Sequence, residues 1–363
     1  MLPYLCTTAY SGGFRGRNTW LTFEPDLAQL QALRERVASE MAAMGLAMPE
    51  DEWSLLLALR HYVHRQLPSD GWHAAERLDA FTLLDQARAG IAYRCVEHSR
   101  LLCQVYQAFG LPARALGLRL ITPNLGVGAS HHVTEVWLTA ENRWVIMDSQ
   151  SDSHWEHAGR ALGADELQQL VLTGRAAELH WAFASADDGD DAEPVLRHWA
   201  GYFARITCGA DVAFLSRPLQ ADRAGKPLIS FLAPQALPQF QFQGIPDPTR
   251  LEPDPGAFWF PCNQVTIHVL RVQFLPDAKA RLEVELEHCA PWFDRFDLEA
   301  TGSVELDGNK VVWTFDEGNP LLSVRTVNAM GRKGQPAHLG FMFYAEESMA
   351  RAEELLRQYT QTK

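Results

Sequence analysis

Cysteine is scarce and unevenly placed in this chain. There are six, at positions 6, 95, 103, 208, 262 and 289 of 363 residues. Such spacing is no disulfide framework. Reduced thiols are the expectation, and Cys262 with Cys289 is the pairing that an oxidising compartment would allow. No apolar run reaches the roughly 18 residues that would argue for a transmembrane helix. The opening stretch, MLPYLCTTAYSGG, lacks the basic n-region and long apolar core of a secretory leader. Export after removal of such a leader still fits, so cytoplasmic and exported locations both stay open. Positive charge is also short: 32 Lys and Arg face 45 Asp and Glu, for a formal net charge of −13. An acidic surface repels phosphate backbones and anionic lipid, and no basic patch offsets it, so nucleic acid is not an expected partner. Neither HExxH nor Cys-x-x-Cys occurs, and there is no internal repeat.

What is present is the material of an ordinary globular protein. The chain is 47% hydrophobic and 21% charged, enough to bury a full core. Residues 1 to about 115 read as mostly helical. PDLAQLQALRERVASEMAAM carries apolar residues at helical spacing behind Pro25-Asp26, a plausible cap. PEDEWSLLLALRHYVHRQL opens with proline and acids, as a helix start should, and stops before Pro68; its bland reading is a core-packing helix. CVEHSRLLCQVYQAF predicts a helix from about Cys95 to Phe109, with Gly110 at the C′ position and Pro112 beyond. Cys95 opens that helix. Cys103 lies two turns inside, within an apolar stripe where cysteines are usually inert.

The pattern then changes to period two. RALGLRLI, HHVTEVWL and RWVIMD read as strands, the last after the polar turn TAENR. Residues 150–235 mix a helix (ADELQQLVL), an acidic loop (ADDGDDAEP) whose spacing does not fit a calcium loop, and a further helix (PVLRHWAGYFARI). The expected organisation is an α+β domain with a helical N-terminal part over 1–232, a proline-rich connection over 233–256, a β-sandwich-like domain over 257–345 and a C-terminal helix over 346–363. In the sandwich region QVTIHVLRVQFL, RLEVELEH, GSVELDGNKVVWTF, PLLSVRTVNAMG and HLGFMFY alternate as strands do. Asp307-Gly308 marks a hairpin. The fold class is α+β, followed by all-β.

Cys95 is the first candidate for chemistry. A cysteine attacks a carbonyl as the thiolate, and a helix N-terminus or a neighbouring imidazolium favours that form. It then needs a histidine base from elsewhere in the chain and a third group to orient it. Two adjacent histidines, His131 and His132, begin the strand SHHVTEVW, and their side chains point to opposite faces. His131, Val133, Glu135 and Trp137 form one set; His132, Thr134, Val136 and Leu138 form the other. A tight hairpin at Glu141-Asn142 would set Asp148 opposite Glu135, roughly 13 Å from His131. Bringing Asp148 to His131 requires a shifted register and an irregular turn around Leu138 to Glu141. A metal site built from His131, His132, Glu135, Asp148 and His154 is chemically conceivable, but adjacent histidines on a strand diverge and no metal is expected.

The order of these pieces resembles the transglutaminase-like superfamily. Its pattern is a cysteine opening a helix, a Gly-hydrophobic-Pro-Ala-Arg turn, His-x-x-x-Glu-Val, then Trp and a hydrophobic segment ending in Asp. Here these are Cys95, GLPAR at 110–114, His131 with Glu135-Val136, Trp144 and Asp148. Many relatives carry glycine just before the nucleophile; here AYR stands there. The resemblance implies a papain-like core: the cysteine helix packs on an antiparallel sheet presenting histidine and aspartate. It implies a cysteine-dependent amide hydrolase or acyltransferase working through a thioester. Cys95 would be the nucleophile, His131 the base and Asp148 its orienting group. One oxyanion donor would be the Cys95 N–H, and a second is expected from Trp72 or Gln66. Glu135 is expected to be structural, paired with an arginine such as Arg114. The implied substrate is a protein, peptide or glycopeptide, with no cofactor. Hydrolysis is favoured over crosslinking because no calcium-site cluster of the animal crosslinking type is visible. The rival reading is a binding or assembly module that keeps the fold without turnover.

Overall fold

The structure is a computed structural model. It describes residues 3–18, 21–23, 26–70, 72–119, 130–184, 205–209, 228–232, 241–242, 245–246, 249–252 and 254–361. The acidic loop at 186–194, most of the helix expected over 194–206 and most of the proline-rich connection lie outside these residues. The chain divides into two units, Gly16–Phe260 and Met1–Arg15 with Pro261–Lys363.

The unit Gly16–Phe260 begins with four helices: α1 (Leu27–Ala43), α2 (Glu52–Gln66), α3 (Ala80–Arg88) and α4 (Cys95–Ala108). The first three share one device. Asp26, Asp51 and Asp79 stand at the N-caps and accept hydrogen bonds from the N–H groups of Gln29, Ser54 and Thr82, satisfying donors that the helix leaves free. α4 instead uses Glu97 at its third position, whose carboxylate accepts the Arg94 N–H at 3.3 Å. Its end is set by Gly110, which adopts φ +75°, a conformation costly to any residue with a Cβ. Leu101, Leu102, Val105 and Tyr106 of α4 are fully buried, so this helix is the core of the unit.

The main sheet has six strands in the order β12-β9-β8-β2-β3-β4. These are β2 (Ala113–Arg119), β3 (Ser130–Leu138), β4 (Arg143–Met147), β8 (Arg205–Gly209), β9 (Leu228–Leu232) and β12 (Thr249–Leu251). All pairings are antiparallel except β12 with β9. A small sheet follows from β5 (Ser153–His157), β6 (Arg160–Ala161) and β7 (His180–Phe183), and β10 (Gln241–Phe242) pairs β11 (Ile245–Pro246). α5 (Ala164–Leu172) and the single turn α6 (Pro255–Phe258) complete the unit.

The other unit encloses one core between two four-stranded antiparallel sheets, β13-β14-β17-β16 and β1-β19-β18-β15. Their strands are β1 (Tyr4–Ser11), β13 (Val265–Leu275), β14 (Lys279–His288), β15 (Phe293–Ala300), β16 (Ser303–Asp307), β17 (Lys310–Asp316), β18 (Leu321–Asn328) and β19 (Ala337–Tyr344). Leu282, Val284, Trp313 and Phe315 from one sheet meet Leu322, Val324, Leu339 and Phe341 from the other. Gly308 takes φ +60° in the β16–β17 hairpin. α7 (Glu346–Gln361) follows β19.

The sequence assigns the N-terminal residues to the helical part. Instead β1 pairs along β19, from Tyr4 with Tyr344 to Ser11 with His338. A strand edge some 330 residues away leaves no mark on a short local pattern, and only the tertiary pairing reveals it. Cys262 and Cys289 are not joined to each other in a disulfide.

Candidate active site

Cys95 is the first residue of α4, half-buried at its N-terminus. The segment before it is held in place by backbone pairing. Tyr93 N–H donates to Pro68 O at 2.8 Å and Asp70 N–H donates to Tyr93 O at 3.2 Å. Thus the AYR stretch, where relatives favour glycine, is fixed here by pairing with residues 68–70. Glu97 ties the next loop to the same turn, accepting Ala75 N–H at 3.1 Å.

His131 lies near the start of β3 and is 5% exposed. Its Nε2 is 2.7 Å from Asp148 Oδ2. The Cys95 thiol, at the N-terminus of α4, is near enough to the same imidazole to favour its charged form. Burial opposes charge on His131, yet Asp148 and then Cys95 outweigh it and raise its pKa to about 9. Asp148 moves the other way. Burial raises it, but the attraction of His131 and hydrogen bonds from His131, Ser151 and the Gln150 N–H hold it below the usual carboxylate range. His98, one turn along α4, is buried beside them, and desolvation pushes it down to about 4 despite the nearby Asp148 carboxylate. It is therefore a neutral neighbour.

The register explains the meeting. β3 pairs β4 as Trp137 with Trp144, Glu135 with Ile146 and Thr134 with Met147. The turn is a 3-10 segment, Thr139–Glu141, closed by Asn142 at φ 52°. This longer, irregular turn slides Asp148 past Glu135 towards His131. Strict two-face alternation is less faithful. Thr134, from the set opposite His131, also reaches α4, donating its hydroxyl to Ser99 O at 2.8 Å. His132 is half-buried.

Glu135 does not join the cluster. It is fully buried and paired with Arg114, whose Nε and Nη2 lie 3.0 and 2.7 Å from Oε2. Its other oxygen accepts the Ala164 N–H and the Trp259 indole N–H. The Arg114 guanidinium also donates to Phe258 O at 2.6 Å and lies 4.5 Å from the Trp144 ring centroid. Arginine and glutamate of the two motifs therefore form the buried brace behind the sheet.

Of the two expected oxyanion side chains, Gln66 directs its amide to Met44 Sδ at 2.9 Å. Trp72 is 71% exposed, on a loop whose Trp72 and His73 N–H groups both donate to Asp70 Oδ1. Among the described residues no group of three or more metal-ligating side chains gathers; His154 lies instead against Arg60, 2.8 Å from its Nη1. Sequence reasoning missed what surrounds Asp148. It sits on a turn closed by mutual backbone bonds with Ser153, both 2.9 Å, and the nearby α2 reads as packing alone.

Residues 42–149 match the family model of the transglutaminase-like superfamily. No match is found among curated protein sequences. Two solved structures are distantly similar. One is a candidate protease from Parabacteroides distasonis ATCC 8503, at 10% identity and TM-score 0.22, covering 92% of this chain and 56% of that one. The other is red sea bream transglutaminase, at 10% identity and TM-score 0.28, covering 92% and 76%. The chain thus spans just over half the length of the first.

Proposed function

We propose that this chain, whose residues 42–149 are a transglutaminase-like core, is a cysteine-dependent amide hydrolase or acyltransferase. The observation that supports it best is one buried imidazole, His131, bonded to Asp148 through Nε2 at 2.7 Å and favoured in its charged form by the nearby Cys95 at the start of α4. In this reading the thiol proton passes to His131 and the sulfur attacks the amide carbon. The carbonyl π electrons move to oxygen, and the Cys95 N–H at the start of α4 stabilises that oxyanion. Collapse of the intermediate breaks the C–N bond. His131 gives its proton to the departing amine, and a thioester remains on Cys95. Water, with His131 as base, then releases the acid; an amine in place of water would give transfer. Asp148 keeps the imidazole oriented and compensates its charge. Trp72 is the better candidate for a second oxyanion donor, because the Gln66 amide is already directed to Met44.

Hydrolysis of a peptide, isopeptide or glycopeptide amide is the favoured outcome. Screening such a library with wild type and Cys95→Ala in parallel tests it. Turnover of one class by wild type alone is the expected result. If no substrate turns over and Cys95 reacts with iodoacetamide at pH 6–7 no faster than an ordinary thiol, the chain is a binding module that keeps this core.

A further inference from the structure

Asp148 rides on a turn, and a turn is a poor platform for a group that must hold an imidazole. In this chain α2 grips that turn at both ends. At its start, Ser149 O accepts His64 Nδ1–H at 3.1 Å, while the Ser149 hydroxyl donates to His98 O at 3.1 Å. At its far end, Asp152 is 3% exposed and takes φ 46°, a left-handed conformation that persists in a non-glycine residue only where the surroundings impose it. They do. Arg60, 1% exposed, donates Nε–H to Asp152 Oδ1 at 2.9 Å, and His61 Nδ1 lies 2.6 Å from Oδ2. The remaining reach of Arg60 goes to His154 Nδ1 at 2.8 Å and to Met147 Sδ at 3.8 Å. Because Arg60 can only donate, His154 must carry its proton on Nε2, and that atom meets Glu156 Oε1 at 2.9 Å. Arg60 therefore touches residues on both sides of Asp148, Met147 before it and Asp152 and His154 after it.

We propose that Arg60 and Asp152 are positioning residues for Asp148: the buried pair locks the 148–153 turn so that the Asp148 carboxylate faces His131. The role rests on the catalytic reading of Cys95, His131 and Asp148, but the coupling to His131 can be measured without any substrate. A helix that served only for packing would fill these positions with apolar side chains. A buried arginine is costly to desolvate and must be fully bonded. Placed partners at Met147, Asp152 and His154 go beyond what filling space requires.

The test uses the full chain with isotope-labelled histidine. The His131 imidazole titration is followed by NMR, and Cys95 alkylation by iodoacetamide is followed against pH. Asp152→Gly accommodates the positive φ while deleting the grip; Asp152→Asn tolerates the same φ and keeps an acceptor for Arg60. The wild-type midpoint near 9 should fall by about one unit or more in Asp152→Gly, a tenfold loss of proton affinity, and recover in part in Asp152→Asn. Alkylation should lose its His131 dependence in the same order. A folded Asp152→Gly protein with the wild-type midpoint overturns the proposal. If that variant does not fold, Arg60→Lys, which keeps the charge but cannot span Asp152 and His154 together, is judged by the same midpoint. If the midpoint depends on Asp152 while wild-type Cys95 is as slow as an ordinary thiol, the positioning stands and the catalytic reading falls.

Discussion

His131 Nε2 lies 2.7 Å from Asp148 Oδ2, a bond across 17 residues that the β3–β4 turn makes possible. The adjacent His132 takes no part in it. His131→Ala should therefore be nearly inactive, and its Cys95 should lose the enhanced alkylation at pH 6–7. His132→Ala should stay within about tenfold of wild type, an allowance for indirect effects of up to about 1.4 kcal/mol on the barrier. An inactive His132→Ala beside an active His131→Ala would reverse the roles assigned here.

The two cysteines of α4 should separate chemistry from packing. Cys95 is half-buried at the helix start, so Cys95→Ala should abolish turnover and cost no more than about 1 kcal/mol of stability. Cys103 is fully buried, with the Gln107 amide 3.3 Å from its sulfur. Cys103→Ala should leave a void and lose about 1–2 kcal/mol, with kcat preserved. Denaturant melts and turnover of the same preparations check both. More than a few per cent residual activity in Cys95→Ala would remove it as nucleophile.

Asp148→Asn should lower kcat by orders of magnitude while leaving some thiol reactivity, since in the proposed mechanism the carboxylate orients and compensates rather than attacks. The replacement amide would accept a hydrogen bond without stabilising the imidazolium. Single-turnover rates on a good substrate would show the loss, and wild-type rates would mean that another group orients His131.

The raised pKa of His131 sets a pH window. Its folded value near 9 exceeds the unfolded value of about 6.5, so the bond to Asp148 stabilises the protein fully below pH 6.5. That contribution fades as pH rises towards 9. Asp148, lowered in the fold, adds stability above its unfolded value that is lost on acidification. In the proposed mechanism the leaving amine takes the His131 proton, so kcat/KM should fall as pH passes about 9. A flat profile up to pH 10 would contradict a protonated His131 in the working state.

Much of this site was legible because its pieces carry local signals. A cysteine at a predicted helix start, a C′ glycine and a strand of alternating character are short-range features. They placed α4 within a residue or so of its observed bounds. That β3 and β4 do not meet in a tight hairpin at Glu141-Asn142 was also legible, because that hairpin would hold Asp148 away from His131. What stayed hidden is what depends on tertiary contact. β1, β15 and the β5–β7 sheet have weak or ambiguous periodicity, and long-range pairing settled them. Arg60 and Asp152 read as a helix residue and a turn residue, since nothing in RHYVH or SQSDS announces that one grips the other 92 residues on. The alternation argument reached its limit at Thr134, which bonds Ser99 of α4 although it belongs to the set opposite His131.

The buried brace gives the last prediction. Arg114 and Glu135 have fully buried side chains 2.7 Å apart, so removing one partner leaves the other charged without its counterion. Glu135→Gln keeps the shape and some hydrogen bonds to Ala164 and Trp259 but strands the guanidinium. It should cost about 3–5 kcal/mol, as should Arg114→Met. The double replacement Arg114→Met with Glu135→Leu should cost less than the two single losses added, because two desolvated charges disappear together. Activity per folded molecule should survive in all three, since neither side chain reaches His131 or Cys95 in the bonds it makes. Denaturant melts measure the first effect, and turnover normalised to active-site titration of Cys95 measures the second. A Glu135→Gln protein as stable as wild type but inactive would move Glu135 from the brace into the chemistry.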